Sequence, residues 1–336
     1  MPDRLGKLRV PPRTLVLFTT VSIALSALSV FPSFAADSPL TGEPISPLPS
    51  VDSLHLDANK IKLGEQLFKE KRFSKDGSTA CISCHDLGKG GVDGMAKSIG
   101  VRQQLGGINA PTVYNSGLNF QQFWNGRAPN LEDQINQVIH NPKEMDMTWP
   151  DIIAILSKDD GLTQQFNTLY PDGMQEKNIE DAIATYERSL LTPSRFDRYL
   201  KGDAKAINES ERHGYQLFKE YGCIACHQGV NVGGNMFQKF GAMDDYFGKR
   251  GNITDADLGR FGVTKNEEDK YVFKVPSLRN VALTAPYFHD ASAQTLDQAV
   301  DVMFQYQLGR TGSKEDKQAI IAFLKSLTGE ALEAKP

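Results

Sequence analysis

The sequence predicts a mainly α-helical chain built from two copies of one module, with long glycine-rich loops and few short strands. Three observations carry this. Apolar residues recur at helical spacing in several segments, whereas strictly alternating runs are scarce. A heptapeptide, Gly64-Glu65-Gln66-Leu67-Phe68-Lys69-Glu70, returns 150 residues later as Gly214-Tyr215-Gln216-Leu217-Phe218-Lys219-Glu220. Each copy then runs into the same pentapeptide pattern, Cys-x-x-Cys-His. Repetition at this scale means duplicated modules.

The chain begins with Arg4, Lys7, Arg9 and Arg13, followed by an apolar run over 15–30 and the small-x-small sequence Ser33-Phe34-Ala35. Residues 1–35 therefore read as a cleaved export signal, which places the mature protein in the periplasm. A membrane anchor is the competing reading. The run has 16 residues and carries Thr19, Thr20, Ser22, Ser26 and Ser29, short of the ~20 apolar residues a span needs. Residues 36–52, rich in proline and serine, read as an extended arm.

For a chain of 336 residues the expectation is two domains, here 53–200 and 201–336, with the C-terminal helix able to pack back on the first. The net charge is −4, and losing residues 1–35 with their net +3 takes it to −7. That balance argues against a nucleic-acid partner, which wants a basic face. An acidic exported protein suits a basic partner steered at long range.

Helices are expected in order. Leu67 and Phe68, like Leu217 and Phe218, sit late in a short helix before each pentapeptide. Asn130 caps a helix with Asp133 in its first turn and Leu131, Ile135, Val138 and Ile139 on one face. Further helices read over 151–156, 178–191 (closed by Pro193), 296–303 and 314–327. The one strand candidate is 271–275. The stretches 88–107 and 229–262 are glycine-rich and aperiodic. Loops of that length need something to organise them.

The pentapeptides name the organiser. Cys81-Ile82-Ser83-Cys84-His85 and Cys223-Ile224-Ala225-Cys226-His227 carry the attachment signature of c-type haem. The thiols become thioethers, and the adjacent imidazole becomes the proximal ligand of the iron. A zinc site would leave His85 and His227 unexplained, and a redox dithiol would want a βαβ setting that is absent. The fold class is thus two c-type cytochrome-like haem domains whose loops wrap two covalently bound haem c groups. The occupant of each sixth iron position then decides between catalysis and electron transfer. Candidates are His55, His140, His213, His289 and the methionines.

At this point the chain resembles the bacterial dihaem cytochrome c peroxidases over nearly all of its mature length. The resemblance rests on Leu87-Gly88-Lys89-Gly90-Gly91-Val92-Asp93, Asn109-Ala110-Pro111-Thr112-Val113, Phe123-Trp124-Asn125-Gly126-Arg127 and Asn141-Pro142-Lys143-Glu144-Met145. It continues in Phe273-Lys274-Val275-Pro276-Ser277-Leu278-Arg279-Asn280 and Pro286-Tyr287-Phe288-His289. It implies an exported peroxidase that reduces hydrogen peroxide with electrons from a small cytochrome c or copper protein. The haem on His85 would be the low-potential peroxidatic centre, and the haem on His227 the high-potential entry point. Met303 would be the distal ligand of the second haem, a soft thioether that favours ferrous iron. Glu144 would move the proton, Gln134 would orient peroxide or water, and Trp124 would lie between the haems. Asn109 with the carbonyls of Thr284 and Pro286 would hold one calcium ion, and a homodimer is implied. Arg127 and Arg279 read either as partners of haem propionates or as surface charges.

One position departs from the pattern. The resemblance implies a histidine 16 residues after His85, in an Ile-Gly-His setting, that closes the first haem at rest. Here Ile99-Gly100 is followed by Val101, which cannot ligate iron. Either the first haem rests open or water-bound, or His140 or Met95 closes it. Two other functions stay on the table. Related dihaem oxidases that modify a partner enzyme also lack the switching histidine, but carry tyrosine where Met303 stands. A non-catalytic carrier would need two closed haems, and Val101 and Glu144 speak against that.

Overall fold

The computed structural model describes residues 39–333; the export-signal segment 1–35 lies outside them. Within the unit 37–336 the apolar side chains gather in two large cores and one small aromatic cluster. The described residues form a mainly α-helical fold with one two-stranded antiparallel sheet, Phe237–Lys239 paired with Val272–Lys274. No helix among them is long and apolar enough to cross a membrane.

The repeated heptapeptide sits in the helices Ala58–Phe68 and Glu209–Glu220. Each is capped as its sequence dictates. Asp57 accepts from Asn59 and Lys60 amides, and Asn208 pairs with Glu211 in a capping box. Each then crosses a later helix at its repeated glycine. A Cβ built on Gly64 would lie 2.0 Å from the Ala182 carbonyl oxygen of helix Glu176–Ser189. One built on Gly214 would lie 1.8 Å from the Ala319 carbonyl oxygen of helix Lys314–Ser326. The glycines let two backbones touch, so each module is a helix pair whose first helix precedes its Cys-x-x-Cys-His segment in the chain.

The first core is built on Leu63, Leu67, Phe68, Ile135, Ile139, Ile179 and Ile183. The second is built on Tyr215, Phe218, Phe304, Ile320, Phe323 and Leu324, and it also takes in Phe196, Leu200 and Ile45 of the arm. The arm is extended yet anchored. The Leu48 amide donates to Asp197 at 2.7 Å, and the Gly229 amide donates to the Pro44 carbonyl at 2.9 Å.

Most expected helices are found within a few residues, at Leu131–His140, Trp149–Leu156, Leu296–Val302 and Lys314–Ser326. The helix read over 178–191 runs Glu176–Ser189 instead, because Leu190 leaves helical geometry at ψ 54° ahead of Pro193. Helix Asp160–Leu169 was not expected. Its apolar signal is two buried residues, Leu162 and Phe166, four apart behind an Asp159 cap. Strand Phe237–Lys239 hid inside a glycine-rich stretch, since three residues give no alternation to count.

Candidate dihaem site

Two cavities adjoin the two pentapeptides. The first, of about 380 Å³, is walled by Cys81, Cys84 and His85 together with Gln134, Glu144 and Trp124. The second, of about 480 Å³, is walled by Cys223, Cys226, His227 and Met303. Both volumes lie in the range of cofactor sites, ~300–1,000 Å³.

The walls suit haem. Burial raises the Cys84 thiol to about 11 and the Cys223 thiol to about 12, so both are neutral. Burial also lowers both imidazoles, His227 to about 4. His85 Nδ1 lies 3.3 Å from the Gly91 carbonyl, and His227 Nδ1 lies 3.4 Å from the Val232 carbonyl. A carbonyl on Nδ1 selects the tautomer whose Nε2 is a free ligand atom. Ser116 Oγ, on the first cavity wall, is buried without a partner among the described residues, left for a polar group of whatever fills the space.

Trp124 lies on the walls of both cavities, as do Asn109 and Phe273. Its indole Nε1 donates to the Asn109 carbonyl at 2.9 Å, which fixes the ring. Glu144 is half-buried, and Asn141 Nδ2 donates to its Oε1 at 2.7 Å. Burial raises its carboxyl above the ordinary range, and the charge of Arg127 and the Asn141 bond oppose that rise. Gln134 lies on the same wall from helix Leu131–His140.

Val101 is fully buried. Its amide donates to the Glu144 carbonyl at 3.0 Å, and Gly100 presses on the Lys143 carbonyl. The segment around Val101 therefore packs on the loop that carries Glu144. Neither substitute ligand reaches the cavity. His140 is exposed at the helix end, with Nδ1 2.8 Å from the Asn136 carbonyl. Met95 is 39% exposed and lies off both walls. Both side chains therefore stand away from the two cavity walls.

Arg279 carried two readings, partner of a haem propionate or surface charge. It is 1% exposed, which removes the surface-charge reading. Its guanidinium grips Asp197 with two bonds of 2.9 and 3.0 Å and also donates to the Val230 and Ser46 carbonyls. Four donors are thus spent inside the chain. Arg127 stays on the outer rim of the first cavity, over the Phe123 ring and bonded to Gln137. Asn109, Thr284 and Pro286 share the second cavity wall, and Asn109 Nδ2 donates to the Met95 carbonyl. Among the described residues one other group has metal-ligand spacing, Asp257, His289 and Asp290, and the Arg250 guanidinium already binds both carboxylates.

Three features escaped sequence reading. A second register of repetition matches 122 and 128 with 287 and 293, as bridges Gln122 to Ala128 and Tyr287 to Ala293. It carries Asn130 onto Thr295 as helix caps, and Val138 onto Met303. Both lie on their cavity walls, so the first module has an apolar side chain where the second has a thioether. Glu187 is a buried acid on the first wall, and Lys274 a buried cation on the second. Each had a signal, a charge breaking an apolar pattern. Glu187 continues the Ile179–Ile183 stripe, and Lys274 interrupts the run 271–275.

Fold and cavities together define a two-haem c-type protein. Residues 58–205 match the family described as Di-haem cytochrome c peroxidase. The chain is 43% identical over 319 residues to cytochrome c551 peroxidase of Nitrosomonas europaea, covering 94% of this chain and 93% of that protein. It is 49% identical over 289 residues to cytochrome c peroxidase Ccp of Escherichia coli, covering 85% of this chain and spanning 61% of that protein's length. A solved MauG-like protein associated with microbial copper homeostasis superposes with TM-score 0.73 at 28% identity, over 88% of this chain and 96% of that one. The chain belongs to the dihaem cytochrome c peroxidase family. It is an oxidoreductase of the peroxidase class that uses two c-type haems.

Proposed function

We propose that this protein reduces hydrogen peroxide to water in the periplasm, at the first haem, with electrons delivered singly through the second by a small cytochrome c or cupredoxin. The observation that carries the reading is the first cavity. It pairs a proximal-type histidine, His85, with a half-buried acid, Glu144, and has Val138 where the other module has Met303.

Cys81, Cys84 and His85 would hold one haem and Cys223, Cys226 and His227 the other, and each would supply an iron able to take up and pass on single electrons. The chain supplies the rest. Glu144 holds a proton more readily than an exposed acid, because burial disfavours its anion. Asn141 fixes Oε1, leaving Oε2 to pass a proton between the two oxygens of peroxide. Gln134 orients the substrate from the facing helix. Trp124 bridges the two cavity walls as an aromatic route for the electron, held still by Asn109. Val101 offers no ligand atom, so a haem held by His85 would rest open and would need no prior reduction. The reading extends to a homodimer and to one calcium ion at Asn109, Thr284 and Pro286, where Asn109 offers Oδ1.

The test is steady-state peroxide consumption with a reduced small cytochrome, in wild type and Glu144→Gln. Loss of general acid–base transfer is expected to lower turnover ~10²–10⁴-fold. Unchanged turnover removes Glu144 from the mechanism. The untreated ferric protein should show one high-spin haem, and a purely low-spin spectrum would sink the open resting state.

A further inference from the structure

The second cavity holds an unexplained cation. Lys274 ends the strand Val272–Lys274, and its amide donates to the Trp124 carbonyl at 2.8 Å. Its side chain is 6% exposed and lies on the cavity wall. Among the described residues no carboxylate, carbonyl or hydroxyl accepts from its ammonium. The neighbouring cations of that wall are accounted for, Arg279 by Asp197 and the exposed Lys239 by solvent. Burial alone acts on Lys274 and pushes it down to about 8, with no acid among the described residues opposing it. An unpaired buried ammonium costs several kcal/mol, so chains retain one where a partner arrives from outside the chain.

We propose that Lys274 is the counter-ion of a propionate carboxylate of the second haem. The chemistry matches on each side. The cavity wall is dominated by apolar groups such as Phe240, Phe273 and Phe304, so an entering anion finds few other partners. A haem fixed at Cys223 and Cys226 brings two carboxylates, and one of them meets a donor that nothing else uses. The pair also ties the second haem to the strand whose backbone holds Trp124, linking cofactor placement to the wall shared by the two cavities.

The consequence is electrostatic. With Lys274 removed, the propionate faces the iron without its cation, and negative charge beside a haem favours ferric over ferrous iron. Lys274→Met should therefore lower the midpoint potential of the second haem by at least a tenfold change in its ferrous-to-ferric ratio, or 59 mV for one electron. The first haem should keep its potential, and Lys274→Arg should restore the second. The measurement is a spectroscopic redox titration of the holoprotein, with haem content and circular dichroism recorded alongside. Should the methionine variant fail to fold, Lys274→Gln keeps the length, removes the charge and is read by the same criterion. An unchanged or raised second-haem potential in a folded, fully loaded variant overturns the assignment. An equal fall at both haems does so too, since it would report a general charge effect. The readout does not involve peroxide, so failure here is distinct from failure of the Glu144 assignment.

Discussion

The repeated glycines make the sharpest structural prediction, because the same chemical change should have opposite signs at different sites. In Gly64→Ala and Gly214→Ala the new methyl would stand 2.0 and 1.8 Å from a helix carbonyl oxygen. That is roughly 1.5 Å short of van der Waals contact, and the obstacle is main chain that cannot rotate away. Helix pairs would have to part along their whole crossing. Alanine gains up to ~1 kcal/mol over glycine in a helix, but overpacking costs ~1–3 kcal/mol and here should reach the upper end. The net loss should be about 2 kcal/mol at either site. Gly161 is the control. It lies exposed in helix Asp160–Leu169, and a Cβ there meets only Asp159 Oδ1 at 3.5 Å. Gly161→Ala should be neutral or stabilising by up to ~1 kcal/mol. Urea unfolding of the holoprotein, followed by far-ultraviolet circular dichroism, reads all three. Since Gly64 and Gly214 pack in different cores, the double variant should lose the sum. Gly64→Ala or Gly214→Ala proving as stable as Gly161→Ala would refute the view that the repeated glycine exists for backbone contact.

Asp197→Asn should destabilise by ~3–5 kcal/mol, because it strands the buried Arg279 charge. The pair Asp197→Leu with Arg279→Met should lose less than that single change, as measured by the same unfolding assay. Glu187 is raised by burial to about 8 from an ordinary 4.5, so the folded chain holds an extra proton between those values. Its contribution is complete below pH 4.5 and is lost as pH rises toward 8, by up to ~1.4 kcal/mol per pH unit. Glu187→Gln should flatten the fall in stability between pH 5 and 8; an unaltered slope would show that other groups set it. His140→Ala and Met95→Leu should leave the ferric absorption spectrum unchanged, since neither side chain reaches the first cavity. A change in spin state in either variant would place that residue at the iron.

Much of the site was legible in the chain alone, for reasons that differ by residue. Covalent haem attachment needs two thiols and an imidazole within five residues, so local spacing reports it without any tertiary knowledge. The helix cap Asn130 acts within one turn, and the glycine at each helix crossing recurs because both modules solve one packing problem. The contributions that sequence left undecided are long-range. Arg279 was open between propionate and surface until Asp197, 82 positions away, was seen to hold it. His140 and Met95 carry ligand chemistry, but helix phase and loop path turn them aside. Glu187 and Lys274 stand in patterns that call for apolar side chains, and only the cavities show what they face. Local geometry determined where the cofactors attach; burial, which depends on chain segments distant in sequence, decided which polar groups are free to act on them.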